Sequence, residues 1–172
     1  MCVSKKLFIA ILAILLLSSC QNSSGKNSQI PMNVTAVEGE VEIQTSESDT
    51  FLPLLVGQTV HVGDVLRSLN STSYTEIHDS RSFFMLGPNA SVIVKKLSSN
   101  ADLTTTRLEL ISGTVMVAAE EKLGDGYFEV TFPQGSASIH GSAMVINTQV
   151  QSSLSNTIVT CLQGEATFNS AG

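Results

Sequence analysis

The sequence predicts an all-β fold, and three observations carry the prediction. From Ile30 onward, apolar and polar residues alternate with period two, the pattern of strands with one buried face. No stretch after Cys20 carries a capped helical repeat. The best attempt, Val117 to Leu123, is stopped by Gly124-Asp125-Gly126. Glycines also recur between one apolar strand pattern and the next, in VEGEV, ISGTV and LQGEA around Gly39, Gly113 and Gly164. Glycine reaches positive φ without steric cost, so each position reads as a tight turn or bulge. The expectation is one domain of about a dozen short strands, folded as a β-solenoid-like roll or a sandwich.

In chain order, the first element is an address. Lys5 and Lys6 precede an unbroken apolar run from Leu7 to Leu17, ahead of Leu17-Ser18-Ser19-Cys20. A bilayer-spanning helix needs about 20 apolar residues, so the run is too short to span and fits the core of a secretory signal peptide. The Leu-Ser-Ser-Cys ending reads as a bacterial lipobox. Small residues admit the extended backbone that a peptidase requires, and the Cys20 thiol takes the lipid. Residues 1–19 are thus expected to be cleaved, and Cys20 to hold the chain on a membrane. Residues 20–29, polar and low in complexity, read as the lipidated cysteine and a flexible tether, and 30–172 as the folded domain. Gln21 follows the lipidated cysteine where Asp would favour retention in the inner membrane, so an outer-membrane location is expected in a diderm host.

Within the domain, Val41-Glu42-Ile43, Val60-His61-Val62, Leu108-Glu109-Leu110 and Phe128-Glu129-Val130-Thr131-Phe132 alternate as half-buried strands. Val115-Met116-Val117 is apolar throughout, as an internal strand would be. Gly57 and Gly63 punctuate LLVGQTVHVGDVL. Pro133 removes a backbone donor, so Thr131 to Val145 is expected to form a structural hinge, with Gly135 and Gly141 supplying permissive backbone. Ala137 and Ile139 then point to one face, and Ser136, Ser138 and His140 to the other.

Composition excludes several classes. The 172 residues hold 42% hydrophobic residues, enough for a packed core, and carry a formal net charge of −6. Nucleic-acid binding is not expected, because phosphate neutralisation needs clustered Lys and Arg. With Cys2 in the leader and Cys20 lipidated, Cys161 stands alone and no intramolecular disulfide can form. Its setting, TIVTCLQG, suggests a small buried hydrophobe.

The order of motifs resembles the FecR domain. The residues that carry the resemblance are VTAVEGEVEIQ, then Gly57, Gly63, Asp64, Leu66 and Arg67 in LPLLVGQTVHVGDVLRS, then SYTEIHDSRSFFMLGPNASVIVKK, RLELISGTVMV, FEVTFPQGSASIHGSAMVI and TIVTCLQGEATF. Departures are Asp79-Ser80 for an Asp-Gly turn, Phe132 between Thr131 and Pro133, and His140-Gly141-Ser142 for Arg-Gly-Thr. The resemblance implies an all-β envelope domain. In iron-transport regulators such a domain sits behind a transmembrane helix and a cytoplasmic sigma-binding segment. Here neither is expected, so a free-standing, lipid-anchored domain is implied.

Candidate chemistry is sparse. His61, His78 and His140 lack metal-ligand spacing and read as surface or turn residues. Ser138, His140 and Ser142 have no orienting carboxylate, and no G-x-S-x-G is present. No metal or cofactor is expected. Lys95-Lys96 reads as a strand end. Glu38, Glu40 and Glu42 read as one acidic strand face, open to solvent or to a basic partner. The expected function is a non-catalytic protein-binding module of the cell envelope, linked to sensing or signalling and working through a sheet face or edge. The alternative is a structural envelope lipoprotein that self-associates or binds surface carbohydrate. Partner identity and oligomeric state stay open.

Overall fold

A computed structural model describes residues 31–171 apart from 71–72, 80, 100–102, 121–122 and 152–153. The leader 1–19, the tether 20–29 with Cys20, Ile30 and Ser80 lie outside the described residues. Alternation becomes strands throughout, and no helix occurs among the described residues. The strands are β1 (Met32–Glu38), β2 (Val41–Gln44), β3 (Leu52–Pro53), β4 (Thr59–Val60), β5 (Val65–Ser68), β6 (Tyr74–His78) and β7 (Ser82–Leu86). There follow β8 (Ser91–Ser99), β9 (Thr104–Ala119), β10 (Tyr127–Phe132), β11 (Gly135–Ile139), β12 (Ala143–Gln151), β13 (Leu154–Gln163) and β14 (Ala166–Ser170).

Pairing joins all fourteen strands into a single sheet curled on itself, with two layers facing one core. Layer A runs β3-β2-β5-β8-β9-β10-β11-β14, and layer B runs β4-β1-β6-β7-β9-β12-β13. Strand β9 belongs to both. Its first half pairs with β8, as far as Ser112, and with β10, as far as Glu109; its second half, from Gly113, pairs with β7 and β12. The bend falls at Gly113, where φ is +82°. A Cβ there would overlap the neighbouring β7–β8 turn, at the Ala90 backbone and the Asn89 carbonyl.

The described ladders are antiparallel except β9–β10, which run parallel. After the second half of β9 in layer B, the chain re-enters layer A as β10, beside the first half of β9. That is one coil of a solenoid; the remainder is a rolled sandwich.

The three recurrent glycines are all corners between layers. Gly39 joins β1 in B to β2 in A, Gly113 bends β9, and Gly164 joins β13 in B to β14 in A. Each faces a small residue at the start of another strand: Ser73, Ala90 and Ser142. The Ser73 and Ser142 hydroxyls accept the N–H of Glu40 (2.8 Å) and Glu165 (3.0 Å), the residues just after the corner glycines. A part-buried corner amide thereby keeps a partner.

Between the layers, Val34, Ile43, Leu66, Ile77, Leu86, Val92, Leu108, Val117, Val130 and Ile146 form one buried cluster. Phe84 of layer B meets Phe128 of layer A edge to face at 6.4 Å, so aromatic packing ties the layers directly.

Three local expectations are corrected. Glu38, Glu40 and Glu42 do not share a strand face, because the Gly39 corner places Glu38 in layer B and Glu42 in layer A. Lys95 and Lys96 lie inside β8, at an irregularity between Val94 and Lys96, not at its end. Cys161 is exposed. It sits opposite buried Met144 on β13, which pairs with β12 alone among the described residues, and its Sγ lies against the Gln163 and Gly164 carbonyls instead of the core.

Candidate functional site

The two layers present outer faces of different chemistry. On layer A the outward residues carry charge in pairs. Arg67 binds Glu42 at 2.6 Å and lies over the Phe51 ring at 3.7 Å; Lys95 meets Glu109 at 3.1 Å; Arg107 pairs with Glu129. Burial opposes the charge on Arg107, but hydrogen bonding and attraction from Glu129, helped by Tyr127, outweigh it and raise the guanidinium's pKa. On this face Arg67, Lys95 and Arg107 are each paired with a carboxylate.

Layer B is different. Its registers align Glu76, Met85, Met116, Val145 and Thr160 in one row across β6, β7, β9, β12 and β13. The adjacent row holds His78, Phe83, Ala118 and Ala143. The outward Phe83, Met85, Met116, Ala118 and Val145 are partly exposed. Inward neighbours Phe84, Val117 and Ile146 are fully buried, so these outward side chains are surplus to the core. The row ends on β13 at Thr160; elsewhere on that strand Leu154, Ile158 and Leu162 are 78%, 58% and 53% accessible, with Ile158 opposite Asn147 and Leu154 opposite Gln151. Contiguous apolar surface of this kind marks an interaction site, and methionine suits an adaptable one. Sequence reading passed over it. The available signal was Phe83 to Leu86 and Val115 to Ala119, apolar on both faces in a fold with only two layers.

At the end of the stripe, two shallow depressions share Ala118, Ala119 and Glu120. One, of about 230 Å³, adds His78, Asp79 and Phe83; the other, of about 370 Å³, adds Gly141, Ser142 and Gln163. The His78 ring stacks on Phe83 at 4.9 Å, with Nε2 3.5 Å from a Glu76 carboxylate oxygen. Asp79 accepts the N–H groups of Arg81 and Ser82 and so closes the β6–β7 turn.

The residues singled out from sequence serve the framework. Asp64 is buried, and its two oxygens accept the N–H of Ser46 (3.0 Å) and His61 (2.8 Å). Gly57 (φ +85°) and Gly63 (φ +95°) lie in the turns flanking β4. Pro133 and Gln134 form the tip of the β10–β11 hairpin, and the Gln134 side chain bonds Ser155 and Thr157 of β13 across the seam. Gly141 lies in the β11–β12 crossing, but its φ is not positive; in this segment Gly135 alone has that geometry. His140 Nδ1 contacts the Gly126 carbonyl at 2.8 Å, and the Ser142 hydroxyl serves Glu165. Ser138 points outward from layer A. The structure thus does not bring Ser138, His140 and Ser142 together as a reacting set. Among the described residues, no group of three His, Cys, Asp or Glu side chains could hold a metal.

The family described as FecR protein matches residues 64–167, from the start of β5 into β14. No curated protein and no solved structure matches the chain.

Proposed function

Because the chain belongs to the FecR family, a group of regulatory, sensing-related envelope domains, we propose that it is a lipid-anchored, non-catalytic protein-binding module. One observation carries this reading: the outer face of layer B is apolar along Met85, Met116 and Val145, whereas layer A pairs off its charges. The core of a protein interface is depleted in charge and enriched in aromatic residues and methionine. Layer B has that composition; layer A does not.

A membrane surface is a poorer occupant, since an acidic chain with few bases is repelled by anionic headgroups. The proposed arrangement has Cys20 lipidated, residues 21–29 as the tether and the domain presenting layer B to an envelope protein. In a diderm host the outer membrane is the proposed location. The test places a photo-crosslinking residue at Met116 or, as control, at Ser138 on layer A, in the full chain in its own membrane. Adducts with a second protein are expected at Met116 and not at Ser138. Equal adducts at both positions, or none at Met116, overturn the reading.

A further inference from the structure

The edges of the curled sheet are not alike. At one end, β3 and β4 have two residues each, and β3 carries Pro53. Short edges and proline resist pairing with another chain. At the other end, β13 runs for ten residues and pairs only with β12 among the described residues. It holds no proline and no charged residue; indeed, no Asp, Glu, Lys or Arg occurs between Glu129 and Glu165. Natural edges of this length are normally guarded by charge. An unguarded one, lined with exposed Leu154, Ile158 and Leu162, is built to be covered.

We infer that a second copy of this chain covers it, through antiparallel pairing of β13 with itself about a two-fold axis at Ile158. The pattern of side chains is the reason. Residues directly opposite in an antiparallel pair share a face. Two copies of one strand therefore keep their outer faces together only when the axis passes through a residue. With the axis at Ile158, Leu154 meets Leu162 of the other copy, Ile158 meets Ile158, and Asn156 meets Thr160. Apolar matches apolar and polar matches polar along the whole strand. With the axis at residue 157 or 159, apolar residues meet polar ones. With it at residue 156 or 160, one leucine is left unmatched.

Charge favours the same occupant. The chain is net negative, so two copies repel except where charge is absent, and β13 with its flanks is that place. Pairing would also join two layers B edge to edge. This inference goes beyond the reading above and holds whichever protein the apolar stripe receives.

The register makes the test specific. Opposed Cα atoms in an antiparallel pair lie about 4.5 or 5.5 Å apart, within disulfide reach. In full-length chain carrying Cys161→Ser, expressed in its membrane and oxidised, Ile158→Cys should give a covalent dimer. Leu154→Cys alone and Leu162→Cys alone should not, because each sits about 27 Å from its own symmetry mate. Co-expressed, those two variants should cross-link to each other. The Cys161→Ser parent supplies the background. Native Cys161 faces Ser155 of the other copy, so the unmodified chain should not cross-link through it. All three positions are exposed, and melting curves matching the parent verify folding. Absence of the Ile158→Cys dimer, or cross-linking at all three single positions alike, overturns the inference. Neither outcome bears on the contrast between Met116 and Ser138, which tests the docking face separately.

Discussion

Asp64 shows how one side chain can hold a loop without touching a ligand. Its buried carboxylate accepts the Ser46 and His61 amides, while its own carbonyl accepts the Val94 N–H. It thereby ties the β2–β3 loop and the β4–β5 turn to β8. Removing the carboxylate leaves two donors without their partner in a partly buried site. Asp64→Ala should therefore destabilise by about 2–4 kcal/mol in chemical denaturation, and Asp64→Asn, which keeps one acceptor, by less. His140 is the contrasting case, exposed, with a hydrogen bond to the Gly126 carbonyl and an edge-to-face contact with Tyr127. His140→Ala should change stability by about 1 kcal/mol or less, measured the same way.

At the scale of the element, β9 decides the architecture. A sixteen-residue strand cannot stay in one layer of a small roll, and Gly113 lets it turn from A to B. Two penalties act on a substitution there: left-handed backbone and overlap with the Ala90 backbone. Gly57 has comparable φ, yet a Cβ there meets nothing within 4 Å. Gly113→Ala is expected to cost about 2–4 kcal/mol and Gly57→Ala about 1–2 kcal/mol. The difference between their unfolding midpoints measures the crowding alone. Equal midpoints would mean that β9 does not bend against the β7–β8 turn as described.

For the whole molecule, stability depends on the layers closing over one core, and presentation depends on the anchor. Phe84 contacts Phe128 across the layers, and both are fully buried. Phe84→Ala should cost about 3–5 kcal/mol. The drop should appear in one cooperative transition, because the layers share β9 and cannot unfold separately. Cys20→Ala should release the chain from membranes or leave it unprocessed with its leader. A mature, detergent-phase product from that variant would refute the lipid anchor.

How much of this was legible in the sequence follows from range. Alternation in Phe128 to Phe132 is a local property, fixed by the two-residue repeat of a strand, so the all-β class was readable directly. The glycines at 39, 113 and 164 could be read as turns for the same reason. Their partners Ser73, Ala90 and Ser142 could not, because they lie 34, 23 and 22 positions away and meet the glycines only once the layers close. The Arg67, Lys95 and Arg107 ion pairs likewise join strands distant in sequence. Cys161 makes the limit plain. TIVTCLQG reads the same in a central strand and at an edge, and burial depends on how many neighbours a strand acquires. That number is set by long-range pairing, which gave β9 neighbours on both sides and β13, among the described residues, only one. The sequence by itself determined that strands form, where they turn and which residues within each strand face inward. The tertiary structure alone decided that Arg67, Lys95 and Arg107 find their carboxylates on one outer face, that Met85, Met116 and Val145 align on the other, and that β13 pairs with β12 alone among the described residues.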